Sequence, residues 1–107
     1  MRVTLTIACA MSLALPIAAA KAEDYVVSQK DKKFSAGALK IKVGDSVSFK
    51  NDDPFFHNIF SLSDAQSFDL GSYPQGQARK VTFLKEGKIE VECAIHPEMK
   101  MVIDVTK

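Results

Sequence analysis

Apolar and polar residues alternate at every second position through much of the chain beyond residue 24. This spacing is typical of β-strands with one buried face. It predicts strands over residues 25–29, 39–43, 46–50, 57–61, 78–85, 88–93 and 101–106. Residues 62–76, rich in Asp, Ser, Gly and Pro, are predicted to be irregular. Short alternating strands separated by turns predict an all-β fold, a small Greek-key β-sandwich of two antiparallel sheets.

Every second side chain of a strand points to the same face of the sheet, so the positions of the apolar residues in the last two predicted strands determine which side chains face the core. One face of residues 88–93 carries Ile89, Val91 and Cys93, and its other face carries Lys88, Glu90 and Glu92. Cys93 is therefore predicted to point inward. Met101 shares an apolar face with Ile103 and Val105 in the final strand, which predicts a place in the core for it.

The first 22 residues have the organisation of a secretory signal peptide. Arg2 precedes a mostly apolar run over residues 3–20, and Ala20-Lys21-Ala22 fits the small-x-small cleavage rule. A membrane helix is the rival interpretation, which Pro16 within the run disfavours. We expect residues 1–22 to be cleaved and residues 23–107 to form one exported domain that is not inserted in the membrane and is monomeric.

Charge gives little indication of a charged partner. Removing Arg2 and Lys21 takes the formal net charge from +1 to −1. The strongly basic stripe that marks nucleic-acid binding is absent from the sequence. The cluster Lys30-Asp31-Lys32-Lys33 is best interpreted as a solvated turn.

Candidate chemistry is concentrated near the C-terminus, where Cys93, His96, Met99 and Met101 fall within nine residues. The other histidine of the chain is His57. With one cysteine in the mature segment, no intrachain disulfide can form, so metal ligation is the better explanation for an exported thiol. Taken singly, an inward cysteine is usually an inert small hydrophobe. Together, a thiolate, two imidazoles and a weak methionine form the ligand pattern of a blue-copper centre.

Four segments resemble the plastocyanin-like cupredoxins of the amicyanin type. They are Cys93-x-x-His96-Pro97-x-Met99, His57-Asn58-Ile59, residues 43–47 and residues 86–91, and the similarity extends over nearly all of residues 25–106. The resemblance implies one type 1 copper ion with His57, Cys93 and His96 as equatorial ligands and Met99 as the axial ligand. It also implies that Asn58 braces the ligand segments by hydrogen bonding.

The function implied by this resemblance is transport of single electrons by Cu(I)/Cu(II) cycling in the periplasm, without enzymatic activity. Redox proteins such as a periplasmic dehydrogenase and a c-type cytochrome would be the partners, and the edge of His96 would be the electron port. Glu98 stands where amicyanin has an aromatic residue, so a wholly apolar docking patch is not expected.

Several alternatives remain open at this point. Met101 lies eight residues after the cysteine, the spacing of plastocyanin and pseudoazurin, whereas Met99 at six matches amicyanin. A copper-delivery protein without an electron-transfer role is the main alternative function. A structural zinc site is disfavoured by the methionine. A thiol enzyme is disfavoured because the cysteine faces inward and no third group to orient a histidine base is evident.

Overall fold

The computed structural model describes residues 21–107. Nearly all of the predicted signal peptide, residues 1–22, therefore lies outside the described residues. Nine strands make up the described part of the chain: β1 Asp24–Lys30, β2 Lys33–Phe34, β3 Ala38–Lys42, β4 Ser46–Asn51, β5 His57–Ser61, β6 Phe68–Tyr73, β7 Ala78–Thr82, β8 Gly87–Cys93 and β9 Lys100–Thr106. Residues 21–107 contain no α-helix, and so none with the length and apolar character needed to cross a bilayer.

The strands form two sheets, with orders β2-β1-β4-β7 and β3-β9-β8-β5-β6. The prediction of an all-β sandwich is confirmed, but the prediction that both sheets are antiparallel is wrong. Each sheet contains one parallel pair, β1 with β4 and β3 with β9. Alternation in the sequence specifies the face of each side chain and carries no information on strand direction, so these pairs were not foreseeable from the pattern.

β6 lies in the segment that was predicted to be irregular. It pairs with β5 at the edge of its sheet, and the register shifts between Asn58 and Phe60. Most of its residues are half-buried or exposed, and Gly71 has a φ of 70°. A polar edge strand that contains a left-handed glycine lacks the clean alternation on which the prediction depended.

The core lies between the two sheets and consists of apolar side chains from both. Val47, Phe49, Ile59, Ile89, Val91 and Ile103 are completely buried. The Phe49 ring contacts the edge of Phe34 and stacks on Phe68 at centroid distances of 6.5 and 6.1 Å. The predicted inward faces of β8 and β9 are confirmed, since Cys93 and Met101 are only 3% and 2% exposed.

Pairing of β5 with β8 determines where the candidate ligands meet. Ile59 lies opposite Cys93 in this antiparallel pair. His57, two residues before Ile59, faces the same side of the sheet. The beginning of β5 and the end of β8 therefore lie at the same end of the sandwich, and the segment that joins β8 to β9 closes that end.

Candidate metal centre

Three donor atoms converge at this end of the sandwich. The ligating atoms of His57, Cys93 and His96 all lie within 4.8 Å of one another. Cys93 Sγ is 3.6 Å from Nδ1 of His57 and 3.6 Å from Nδ1 of His96. His57 and Cys93 are buried and His96 is half-buried. Residues 36 positions apart in the chain are thus brought into one cluster.

The spacing of these atoms fits a bound metal ion. Metal–nitrogen bonds of about 2.0–2.1 Å and a metal–sulfur bond of about 2.3 Å place nitrogen and sulfur roughly 3.6–3.8 Å apart at tetrahedral to trigonal angles. Both sulfur–nitrogen distances, 3.6 Å, lie at that value. One thiolate with two imidazoles suits copper, because soft sulfur and imidazole ligands both bind it.

A buried carboxylate holds the first histidine. His57 Nε2 lies 2.7 Å from Asp53 Oδ2, and the two side chains are 0% and 2% exposed. A carboxylate only accepts hydrogen bonds, so Nε2 carries the proton and donates it to Asp53. Nδ1 is then left facing the cysteine sulfur, in the orientation that a metal ligand requires.

Asp53 is ionised although it is buried. Burial raises the pKa of this carboxyl, but hydrogen bonds from His57 and from the N–H groups of Lys32 and Asp31 outweigh burial and hold the pKa below its usual value. The two backbone N–H donors lie 3.1 and 2.7 Å from the carboxylate oxygens. A negative charge therefore lies directly behind His57.

Hydrogen bonds also join the segments that carry the ligands. Ala94 N–H donates to Asn58 O at 2.9 Å, which ties the residue after the cysteine to the residue after the first histidine. The Asn58 side-chain amide faces two acceptors on β6, Asp69 Oδ1 at 3.0 Å and Gly71 O at 3.1 Å. The brace between the ligand segments is thus the backbone of Asn58, while its side chain holds the edge strand.

Both candidate axial methionines are buried, Met99 at 1% and Met101 at 2% exposure. Met99 lies in the loop between β8 and β9, where its N–H donates to His96 O at 2.9 Å in a tight turn. Met101 lies in β9 opposite Val91 and belongs to the core. Met99 therefore lies on the same short turn as His96, whereas Met101 lies in a strand of the core.

His96 is the member of the cluster that reaches the surface. Burial lowers the pKa of His96, and the nearby His57 and Lys32 lower it further, which favours the neutral imidazole that binds metal. The Phe55 ring lies 5.3 Å from both imidazole rings. Phe56 beside it is 54% exposed, so of the two phenylalanines only Phe55 packs against the cluster.

A profile of the family described as copper binding proteins, plastocyanin/azurin family, matches residues 21–106. The chain belongs to this family. The chain is 30% identical over 102 residues to methylamine utilization protein MauL of Methylorubrum extorquens. The aligned segment covers 94% of this chain and 90% of MauL. The chain is also 30% identical over 90 residues to amicyanin of Paracoccus denitrificans, covering 79% of this chain and 69% of amicyanin.

Solved structures show the same cupredoxin architecture. A Cu(I) structure of an amicyanin variant aligns with a TM-score of 0.71 and 25% identity over 77% of this chain and 81% of amicyanin. A copper-containing nitrite reductase from Thermus scotoductus SA-01 aligns with a TM-score of 0.73 and 27% identity over 78% of this chain. Only 22% of that reductase chain is covered, so the likeness is to a part of the enzyme. The cofactor of this family that the three donors fit is one copper ion.

Three buried polar residues around the site were not predicted from the sequence. Asn51 and Asp53 lie between the predicted strands 46–50 and 57–61, and Tyr73 lies in residues 62–76, which were predicted to be irregular. Asn51 Nδ2 donates to Phe55 O at 2.8 Å and to Tyr73 O at 3.0 Å, while its Oδ1 accepts from Asp53 N at 2.8 Å. The one available signal was that Asp53 lies four positions before His57. An aspartate in an ordinary turn would look the same in the sequence, so this signal did not indicate a buried partner of the histidine.

Proposed function

We propose that this protein is a blue-copper electron carrier in which His57 Nδ1, Cys93 Sγ, His96 Nδ1 and the Met99 thioether hold one copper ion. The bound ion would supply a one-electron Cu(I)/Cu(II) couple. The protein contributes a sulfur and two imidazoles at fixed positions, a buried environment and one imidazole that reaches solvent. On this proposal the chain carries electrons and catalyses no reaction of its own.

The observation that carries the proposal is the convergence of three donor atoms. Cys93 Sγ lies 3.6 Å from a nitrogen of each histidine. His57 and Cys93 are held by paired strands, and Asn58 joins their ends through its bond to Ala94. A site supported in this way would change little when the charge on the metal changes, which is the requirement for fast one-electron transfer.

The surface around His96 supports an exchange of electrons with protein partners. His96 lines a depression of about 240 Å³ together with Lys32 and the exposed residues Ile95, Pro97 and Glu98. Small, partly apolar patches suit weak and transient redox encounters. A periplasmic dehydrogenase as donor and a c-type cytochrome as acceptor are the proposed partners. The relatives of the chain are a methylamine utilization protein and an amicyanin.

We propose that the mature protein acts in the periplasm, where its proposed partners would be found. We propose that residues 1–22 direct export and are removed, and that residues 23–107 act as a monomeric domain. The sequence pattern of Arg2, the apolar run and Ala20-Lys21-Ala22 supports this processing. N-terminal sequencing of the exported protein tests it, and a mature chain that still begins at Met1 would contradict it.

The function is tested by copper titration of the mature protein and of His57→Ala. The wild-type protein should bind one copper ion, develop the intense visible band of Cu(II)–thiolate bonding, and be reduced and reoxidised reversibly. His57→Ala should lose this band because one of three equatorial donors is gone. A thiol enzyme that uses Cys93 and His96 would keep its thiol reactivity in the same variant.

Two further measurements distinguish an electron carrier from a copper-delivery protein. Electron exchange between the oxidised and reduced proteins should be faster than transfer of copper to a soluble chelator. Phe56→Ala serves as the control for His57→Ala, because it removes an exposed neighbouring ring and leaves the donor atoms in place. Rapid loss of copper to the chelator with no reversible couple would overturn the proposal.

The axial ligand is tested by Met99→Leu and Met101→Leu. Met99→Leu should alter the visible spectrum and shift the reduction potential, because the axial ligand tunes this potential in blue-copper sites. Met101→Leu should leave both unchanged and lower the free energy of unfolding by less than about 1.5 kcal/mol, as near-isosteric core exchanges do. The opposite result would assign the axial position to Met101.

A further inference from the structure

We propose that Asp53 is the positioning residue of this copper centre, which orients His57 and lowers the reduction potential through its buried charge. The inference depends on the proposed function, since it concerns the couple of the copper that His57 would hold. The sequence pattern predicts no role for Asp53. Its role follows from the contacts of its carboxylate.

The first step is the orientation of the imidazole. Asp53 Oδ2 lies 2.7 Å from His57 Nε2, and neither side chain is more than 2% exposed. The contact is therefore shielded from bulk solvent. Because the carboxylate accepts a hydrogen bond from Nε2–H, the lone pair of Nδ1 is left facing Cys93 Sγ.

The second step is the anchoring of Asp53 itself. Its two oxygens accept the N–H groups of Asp31 and Lys32, and its own N–H donates to Asn51 Oδ1. Asp31 and Lys32 have φ values of 54° and 57°, in the left-handed region that disfavours non-glycine residues. The β1–β2 turn is therefore held in an unusual conformation in which two N–H groups point at one carboxylate.

The third step is the effect of the charge. A carboxylate hydrogen-bonded to a ligating imidazole makes that ligand more basic, and a negative charge near the metal favours the ion with the higher positive charge. Asp53 therefore stabilises Cu(II) relative to Cu(I) and lowers the potential. Since the carboxylate is 2% exposed, salt should screen this interaction far less than that of a surface charge.

The turn also connects the site to the surface. Lys32, whose N–H binds Asp53, has a side chain that lines the depression beside His96. Its Nζ lies 5.8 Å from the centroid of Phe55. A partner that contacts Lys32 thus touches the turn that orients the Asp53 carboxylate.

The experiment compares the copper-loaded wild-type protein with Asp53→Asn and with the matched control Asp52→Asn. Both changes remove one negative charge, but the Asp52 side chain is 36% exposed and lies near Lys50 on the surface. Asp53→Asn should weaken Cu(II) binding relative to Cu(I) by tenfold or more, equivalent to a rise of about 59 mV in a one-electron couple. Asp52→Asn should give a much smaller shift that disappears at high salt.

An equal shift in the two variants, or no shift in Asp53→Asn, would overturn the inference while the wild-type couple still supports the proposed function. If the wild-type protein shows no copper couple at all, the proposed function has failed instead. Asp53→Glu keeps the charge and should restore most of the wild-type potential, which a purely structural role for the position does not predict.

A neutral asparagine among three N–H donors could impair folding, so two further measurements are included. Asp53→Ser removes the charge without adding an amide donor, and its potential should rise as in Asp53→Asn. In the metal-free wild-type protein, nitrogen NMR should place the His57 proton on Nε2. A proton on Nδ1 in place of Nε2 would overturn the inference independently of any variant.

Discussion

Cys93→Ser is expected to abolish the visible absorption of the Cu(II) protein and to raise the dissociation constant for copper by more than about 100-fold, since even residues behind the ligands contribute roughly 10–100-fold. Cys93 Sγ lies at the centre of the site, 3.6 Å from Nδ1 of His57 and 3.6 Å from Nδ1 of His96. A serine hydroxyl has nearly the same size but is a poor ligand for soft metal ions. Titration followed by absorption and paramagnetic resonance measures both effects.

Val91→Thr is the matched control for this change. Val91 lies two residues earlier on the same face of β8 and is completely buried, so threonine introduces a hydroxyl into the same core without altering a donor atom. The control should be less stable than the wild-type protein but should keep its colour when folded. A Cys93→Ser protein that retains the visible band would contradict the assignment of Cys93 as the thiolate ligand.

The largest expected effect on stability is that of Phe49→Ala, which should lower the free energy of unfolding by about 3–5 kcal/mol. Phe49 is completely buried in β4, and its ring contacts both Phe34 and Phe68. Small domains are stable by only about 5–15 kcal/mol, so the metal-free variant should be close to unfolding at room temperature. Urea denaturation of the metal-free protein, followed by circular dichroism, provides the measurement.

Leu84→Ala provides the comparison for Phe49→Ala. The Leu84 side chain is 68% exposed, and its removal should change the free energy of unfolding by no more than about 0.5 kcal/mol. A loss below about 1 kcal/mol in Phe49→Ala would show that the packing of the two sheets does not depend on this ring. Copper should raise the urea concentration at the midpoint of unfolding of both variants, because it binds the folded chain in preference to the unfolded one.

The fold was predicted well where a strand has one buried and one exposed face. β8 and β9 show the predicted alternation, with Ile89, Val91, Cys93 and Met101 all buried. The prediction failed for β6, because most of its residues are only half-buried or exposed. In addition, the register of its pairing with β5 is shifted. It also missed the parallel pairs, because pairing direction is decided by contacts between strands far apart in the chain.

The site was predicted as a set of residues but not as an arrangement. Cys93, His96, Met99 and Met101 are close in sequence, so their spacing predicts a shared site, and the family resemblance implies Met99 as its methionine. The approach of His57 does not follow, since it depends on the pairing of Ile59 with Cys93. The role of Asp53 was not predicted, because its carboxylate is held by the N–H groups of Asp31 and Lys32, which lie 22 and 21 positions away and come near it only in the folded chain.

The amino-acid order alone determined the all-β class, the inward faces of the strands and the inventory of soft and imidazole donors, since each of these depends on residue type and spacing. Folding decided which residues become neighbours across the 36 positions between His57 and Cys93, and it put the Asp53 carboxylate 2.7 Å behind one imidazole. Alternation of apolar and polar residues indicates which face of a strand is buried. It cannot record which distant strand lies alongside or which buried charge acts on the metal site.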